Sequence, residues 1–305
     1  MRVGRLAATG VLTIVAGGIL AGCSSAHARA ASPTEVRGVS MTPELDRGSG
    51  AVTLPYDRFT LSDNQLDEIV TAQSAEKVQC ARAHNLPVGS PAPTLLDAAY
   101  DSESYFGPWT TSQARRFAFV HPMSDRDLAA NGIVGAPSVG PSNAKAPFEG
   151  LTESQMRVVD ACHGPDSDLF VAVQTQDGPW VREMMALNDK AAAGSLPGMK
   201  PLIDTLVSCY QKQGMRAAGA EERWFPAGAD GRVIDKDQIS LALKVVACKD
   251  ETGFTQKMAD IQARAQAKIV EKYADELAQE QTVVQRALTR ARAVDQKYGL
   301  EPKGD

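Results

Sequence analysis

From Phe254 to Tyr298 the chain contains neither glycine nor proline, and apolar residues recur at Phe254, Met258, Ile261, Ala265, Ile269, Tyr273, Leu277, Val284, Leu288, Ala291, Val294 and Tyr298. The 44 steps from first to last divide over twelve turns into about 3.67 residues per turn, an 11-residue period rather than a heptad. The pattern predicts one long amphipathic helix over 251–299, with about 67 Å between Phe254 and Tyr298 and a nearly straight packing seam. It outruns every other predicted helix. Either several elements line it or part of it awaits a partner.

Three further helix starts are marked by a capping side chain three residues before a glutamine: Ser62 with Gln65, Thr152 with Gln155, and Asp235 with Gln238. The stops are Asn85 with Pro87, Gly164 with Pro165, and Gly214 after a helix opened by Pro201. These signals predict helices near 63–84, 153–163, 201–213 and 236–249, with weaker ones near 112–120 and 166–193. Asp230-Gly231 before Arg232-Val233-Ile234 predicts a turn and at most a short strand. The fold class is therefore expected to be all-α or nearly so. Aromatics at 6% agree with this, since few bulky side chains favour helices packed through small and medium ones.

Ahead of these helices the chain changes character. Residues 23–55 are rich in Ser, Ala, Gly, Pro and Thr without sustained periodicity, which predicts a flexible tether. Before them, Arg2 and Arg5 precede an apolar run from Leu6 to Leu20 that is too short to span a bilayer, followed by Leu20-Ala21-Gly22-Cys23. A small-residue site ending in cysteine is what bacterial lipoprotein processing needs, because the thiol accepts a diacylglycerol before cleavage makes it the new N-terminus. Residues 1–22 are thus expected to be a signal peptide and Cys23 a lipidated residue. Ordinary cleavage at Ala26-His27-Ala28 or Ala28-Arg29-Ala30 is the alternative, disfavoured because these sites lie well beyond the apolar run. The expected location is the outer face of the bacterial cytoplasmic membrane, lipid-anchored and extracytoplasmic. Loss of Arg2 and Arg5 takes the net charge from -5 to -7. A chain that acidic argues against nucleic acid as a partner.

Cys80, Cys162, Cys209 and Cys248 remain. In an exported chain an even number points first to disulfides. Cys80 and Cys209 each stand five residues before a cap residue, Asn85 or Gly214, followed by an apolar one. Cys162 follows Val-Val-Asp-Ala and Cys248 follows Lys-Val-Val-Ala. The shared contexts suggest an internal duplication, with repeats over 60–165 and 198–250 in a domain of 56–250, and the pairing Cys80 with Cys162 and Cys209 with Cys248. The competing reading is a zinc site of Cys80, His84, Cys162 and His163. It is disfavoured by the oxidising compartment and by the awkwardness of adjacent ligands. No cofactor or metal is expected.

Catalytic signals are weak. Ser62-Asp63-Asn64, Ser74-x-x-Lys77 and Ser142-x-x-Lys145 are fragments of the penicillin-binding motif set, but in the wrong order and without its Lys-Thr-Gly. His84 and His121 have no recognisable catalytic partner. Asp166 with Asp168, and Asp235 with Asp237, read as helix-start charges. The acidic run from Asp230 to Asp237 departs from the EF-hand spacing. The chain is not expected to be an enzyme.

Val207-Ser208-Cys209 with Gly214-Met215, and above all Val246-Ala247-Cys248-Lys249-Asp250-Glu251-Thr252-Gly253-Phe254, resemble actinobacterial, Streptomyces-type lipoproteins of unknown function, over 56–298. The resemblance implies an exported, lipid-anchored, disulfide-containing helical domain and carries no activity. The expected function is that of a non-catalytic envelope lipoprotein that binds a protein partner through the helix 254–298. An extracytoplasmic small-ligand receptor is the alternative, and a carboxylate-dependent hydrolase is less favoured.

Overall fold

The computed structural model describes residues 35–91, 106–138, 146–162, 169, 172, 178–219 and 224–300. Cys23, His163, Gly164, Asp166, Asp168, Ser142 and Lys145 lie outside them. Nine α-helices occur among the described residues: α1 (Asp63–Ala83), α2 (Thr111–Phe117), α3 (Asp125–Ala130), α4 (Glu153–Asp160), α5 (Pro179–Ala192), α6 (Met199–Lys212), α7 (Lys236–Thr252), α8 (Phe254–Lys272) and α9 (Ala274–Tyr298). The fold is all-α, with two antiparallel two-stranded ribbons among the described residues, β1 (Glu35–Val36) with β2 (Val39–Ser40) and β3 (Glu44–Leu45) with β4 (Val52–Thr53).

The ribbons correct the expectation of a tether over 23–55, whose described part, 35–55, is folded. Arg37 and Gly38, both at positive φ, make the two-residue turn of the first ribbon. Asp46 organises the second, accepting from the Gly48 N–H at 2.8 Å and the Ser49 hydroxyl at 2.7 Å. Val36, Met41, Val52 and Leu54 are buried against helices. Strands of two residues leave no alternation to read, and the Gly- and Ser-rich composition that suggested a linker is turn chemistry instead.

The caps form largely as expected. Ser62 and Thr152 make complete capping boxes with Gln65 and Gln155. Asp235 accepts from the Gln238 N–H, but the Gln238 amide turns away to bond Asp230 N–H and the Gly228 carbonyl, tying the preceding turn to α7. At the far end of α1, Asn85 takes φ 57°, with Asn85 N–H bonded to Arg82 O and Leu86 N–H to Ala81 O. Gly214 ends α6 in the same way, its N–H on Gln211 O and that of Met215 on Tyr210 O. This is the Schellman arrangement. It also ends α3, α5 and α9, so the common spacing after Cys80 and Cys209 is carried by a helix-ending motif of general use in this chain.

The main core is built by α6, α7 and α8 with Leu54, Phe106 and Trp109, and encloses Leu206, Tyr210, Val245, Phe254, Met258 and Ala263. Residues on both sides of 250 share it. The boundary expected between a domain of 56–250 and a separate helix of 251–299 is therefore absent, and Ser32–Asp305 forms one unit. A second cluster joins the first ribbon, α5, α8 and the start of α9 through Val36, Phe59, Trp180, Met184, Val270 and Leu277. In a third, α1 packs on α9 through Ile69, Ala72, Val284, Leu288 and Ala291, together with Leu169 and Ala172. No helix among the described residues is long and apolar enough to cross a membrane.

The cysteines pair as Cys80–Cys162 and Cys209–Cys248, each with Cα atoms 5.7 Å apart, the connectivity expected from their contexts. The first ties α1 to the end of α4; the second ties α6 to α7. Around the second bridge, the block Cys248-Lys249-Asp250-Glu251-Thr252-Gly253 resolves into structural fastenings. Lys249 is 2% exposed and its ammonium donates to the carbonyls of Phe106 and, at 2.9 Å, Pro108. Burial pulls its pKa down to about 7. Asp250 accepts from Arg47, whose guanidinium lies over the Trp109 ring at 5.4 Å. The Thr252 hydroxyl bonds back to the Cys248 carbonyl, and Gly253 turns the chain into α8 at φ 62°.

The loop that Lys249 holds leads into α2, whose Thr110–Gln113 capping box has no counterpart in the sequence expectations. The Trp109 indole and the Gln113 amide both donate to the Gly50 carbonyl, at 2.7 and 3.1 Å. A Cβ on Gly50 would fall 2.4 Å from the Gln113 amide, so only glycine fits. Replacing Lys249 by Met leaves two buried carbonyls without a donor while relieving the cost of burying an amine. The expected net loss is about 2 kcal/mol of stability. Urea denaturation of K249M checks this, and a midpoint equal to that of the parent refutes the clamp.

Candidate functional site

The expected helix of 254–298 is present as two, α8 and α9, of about 28 and 37 Å. They meet at Tyr273, which leaves helical geometry at φ -116° and ψ 27°. No glycine or proline marks the break. Its side chain is held from α5: the Tyr273 hydroxyl and the Lys272 ammonium both donate to Glu183 Oε1 at 2.6 Å, and the ring lies 6.0 Å from that of Trp180. These two hydrogen bonds hold the Glu183 carboxyl below the usual range, and the bond to Glu183 raises Lys272. On the other side of the junction Arg37, from the first ribbon's turn, pairs with Asp275.

The buried face of α8 also differs from the predicted stripe. Gln262 and Gln266 lie inside it, between Met258 and Val270, while Ile261 and Ala265 are only half-buried. The stripe was drawn through apolar letters, whereas Gln266 is inside because its Oε1 accepts from the Tyr56 N–H at 3.0 Å. On α9 the apolar reading holds, with Leu277, Val284, Leu288 and Ala291 buried. Three buried residues there escaped it: Ala287, Asp295 and, at 8% exposed, Glu280.

Glu280 is the unusual group of this region. Its Oε2 is buried and finds no hydrogen-bond partner among the described residues, and the same is true of Trp180 Nε1. Desolvation pushes the Glu280 carboxyl up to about 7. Tyr56 is pushed up to about 12, first by desolvation and then by the charge of Glu280, with Asp57 adding to it. The Trp180 N–H approaches the Tyr56 hydroxyl and partly offsets the rise without reaching full hydrogen-bonding geometry. Two acidic groups and an indole therefore face one another within the apolar cluster of ribbon, α5, α8 and α9.

The far side of α9 has a different chemistry. Where α1 covers it, Arg290 and Arg292 reach Glu76 and Glu68, each at 2.8 Å, and the Gln281 amide donates to the Arg58 carbonyl. Away from that contact, Thr282, Gln285, Arg286, Thr289 and Ala293 are exposed at helical spacing. Thr282 and Thr289 bond their hydroxyls to the carbonyls of Ala278 and Gln285 on their own helix. The strip they share is consequently less polar than its composition suggests.

Among the remaining sequence candidates, Ser62 is a helix cap and His121 is exposed. Asp235 is likewise a cap, and Asp230 accepts from the Arg232 N–H within its own turn. Of the zinc set, Cys80 and Cys162 are bridged, His84 lies beside them, and His163 lies outside the described residues. No protein-family model matches the chain, and neither curated proteins nor solved structures yield a match.

The Glu280 carboxyl gives a pH signature. Its pKa in the folded chain, about 7, lies above the ordinary 4.5, so the folded state holds the proton more firmly than the unfolded one. The resulting stabilisation is complete below pH 4.5 and is lost as pH rises through 7. Glu280→Gln keeps the shape and remains neutral. Between pH 5 and 8 the parent is expected to lose on the order of 2 kcal/mol relative to E280Q, followed by denaturant unfolding across pH. Parallel profiles for the two proteins refute the buried carboxyl as the source.

Proposed function

We propose that this protein is a non-catalytic accessory lipoprotein of the bacterial envelope, anchored through Cys23 at the outer face of the cytoplasmic membrane, and that it binds a protein partner along the exposed face of α9. The observation that carries the reading is the division of α9 into two faces. One is fixed by Val284, Leu288 and Ala291 and by the pairs Glu76–Arg290 and Glu68–Arg292. The other, from Thr282 to Ala293, is solvent-exposed, internally hydrogen-bonded and of low charge. A helix whose polar groups are satisfied within itself loses little hydration when another surface covers it. Arg286 is the one exposed charge on this strip without an ion pair among the described residues, and it would orient an acidic partner. The Streptomyces-type lipoprotein resemblance is in keeping with the same reading.

Site-specific photo-cross-linking in the native envelope tests the interface. Probes at Gln285 and Thr289 are expected to yield one discrete adduct that Arg286→Glu abolishes, while probes at Lys200 and Arg232, on exposed surface outside α9, yield none. Equal labelling at all four positions refutes the α9 interface. Point probes are preferable to truncation, since removing α9 strips α1 of its packing partner.

The anchor has its own test. Cys23→Ala is expected to leave the protein unlipidated, shifting it by the mass of its acyl chains and releasing it from washed membranes. A Cys23→Ala protein of unchanged lipid content refutes the anchor and leaves the α9 interface standing.

A further inference from the structure

The two disulfides differ in what surrounds them. Cys209 and Cys248 are 2% and 0% exposed, closed within the main core. Cys80 and Cys162 are half-buried, and His84, one helical turn beyond Cys80, is exposed beside them. The two Sγ atoms and a His84 ring nitrogen lie within 4.8 Å of one another. Each member is positioned by backbone that does not depend on the bridge. Cys80 and His84 share the last turn of α1, where His84 N–H bonds to Cys80 O, and the Schellman bonds of Asn85 and Leu86 lock that turn. Cys162 follows α4, its N–H on Val159 O.

We propose that Cys80, Cys162 and His84 form a redox-gated site for a zinc-class cation, closed while the cysteines are bridged and open to metal once they are reduced. The donors suit such an ion: two thiolates and an imidazole are borderline-soft ligands, and three protein ligands leave the fourth tetrahedral position to water. Opening requires an external dithiol, the class of reductant used in thiol–disulfide exchange. One thiolate of the dithiol attacks a sulfur of the half-buried bridge, a mixed disulfide forms, and the second thiol resolves it. Two electrons and two protons pass to Cys80 and Cys162, leaving two thiols here and a disulfide on the reductant. The cation then displaces both thiol protons as it binds.

The fold gives this exchange a mechanical meaning. Val159 is the one residue of α4 that is buried, so the cross-link is the principal tie between α4 and α1. Reduction loosens α4, and the metal ties it back through the same two sulfurs. The Cys209–Cys248 bridge has neither an exposed imidazole nor a path for a reductant, and it serves as the internal control. The inference is independent of the Cys23 anchor and of the α9 face.

The test uses the full-length protein in detergent, treated with a water-soluble phosphine under native conditions and then freed of it. Two thiols are expected, mapping to Cys80 and Cys162, with Cys209–Cys248 intact. Cobalt(II), titrated as the spectroscopic probe, should bind the reduced protein at one equivalent, with thiolate-to-cobalt charge-transfer and tetrahedral ligand-field bands that zinc abolishes. The oxidised protein should give none. His84→Ala, which keeps the bridge and with it the folded starting state, should weaken cobalt binding at least about tenfold and alter the ligand-field bands. Release of four thiols or of none overturns the gate. Two free thiols without charge-transfer bands, or unchanged binding in H84A, overturns the metal site.

Discussion

The amine of Lys249 is the constraint on which most of the architecture depends. Burying a cationic side chain in a core of Leu, Val and aromatic residues is unfavourable unless its donors are satisfied, and the acceptors it finds are the carbonyls of Phe106 and Pro108. Those carbonyls fix a loop whose next residues, Trp109 and Thr110, start α2 and reach across to Gly50 in the second ribbon. On the flanks of Lys249, Cys248 fastens α7 to α6 and Asp250 holds Arg47 over Trp109. Consecutive residues of one helical turn thus draw together the ribbon, the α2 loop and two core helices. This compact cysteine-containing block fixes geometry.

The same turn illustrates what a sequence does and does not disclose. Helix caps are local, so Ser62, Thr152, Asp235, Asn85 and Gly214 could be read directly, because the side chain and the backbone group it serves are within a few residues. The cysteine contexts were informative for the same reason. The ribbons were not legible, since two-residue strands carry no period and their stability comes from Val36, Met41 and Leu54 lying on helices far along the chain. Thr110–Gln113 had the same capping signature as the others but lacked a long apolar run behind it, and α2 is only 7 residues long.

The C-terminal helices show where the apolar alphabet itself misleads. A stripe drawn through hydrophobic letters crossed Tyr273 without a pause, because the interruption comes from Glu183 on another helix and not from any local breaker. Gln262, Gln266 and Glu280 lie inside although their side chains are polar. For Gln266 the reason is a backbone N–H 210 residues away. For Glu280 the surroundings supply no such partner among the described residues, and the carboxyl responds by holding its proton. Candidate chemistry in this protein is accordingly found at tertiary junctions, the α8–α9 break and the half-buried bridge at the end of α1, rather than at sequence motifs.

The pairing of α1 with α9 has a consequence for the order of events when the chain is made. Glu68 meets Arg292 across 224 residues, Arg58 meets Gln281 across 223, and Arg47 meets Asp250 across 203. A chain that emerges from its N-terminus presents Ile69 and Ala72 to solvent until nearly the last residues have appeared. The described residues of the first third pack Val36, Leu54 and Ile69 on helices that come much later in the chain, so their folding waits for the end of synthesis instead of following it. Closure of such distant contacts is slow and leaves apolar surface open to wrong partners meanwhile. The early disulfide cysteine, Cys80, waits as well, since its partner arrives 82 residues later. A protein of this design is completed from its C-terminus inward, and its yield is set by how well the unfinished chain is kept from aggregating.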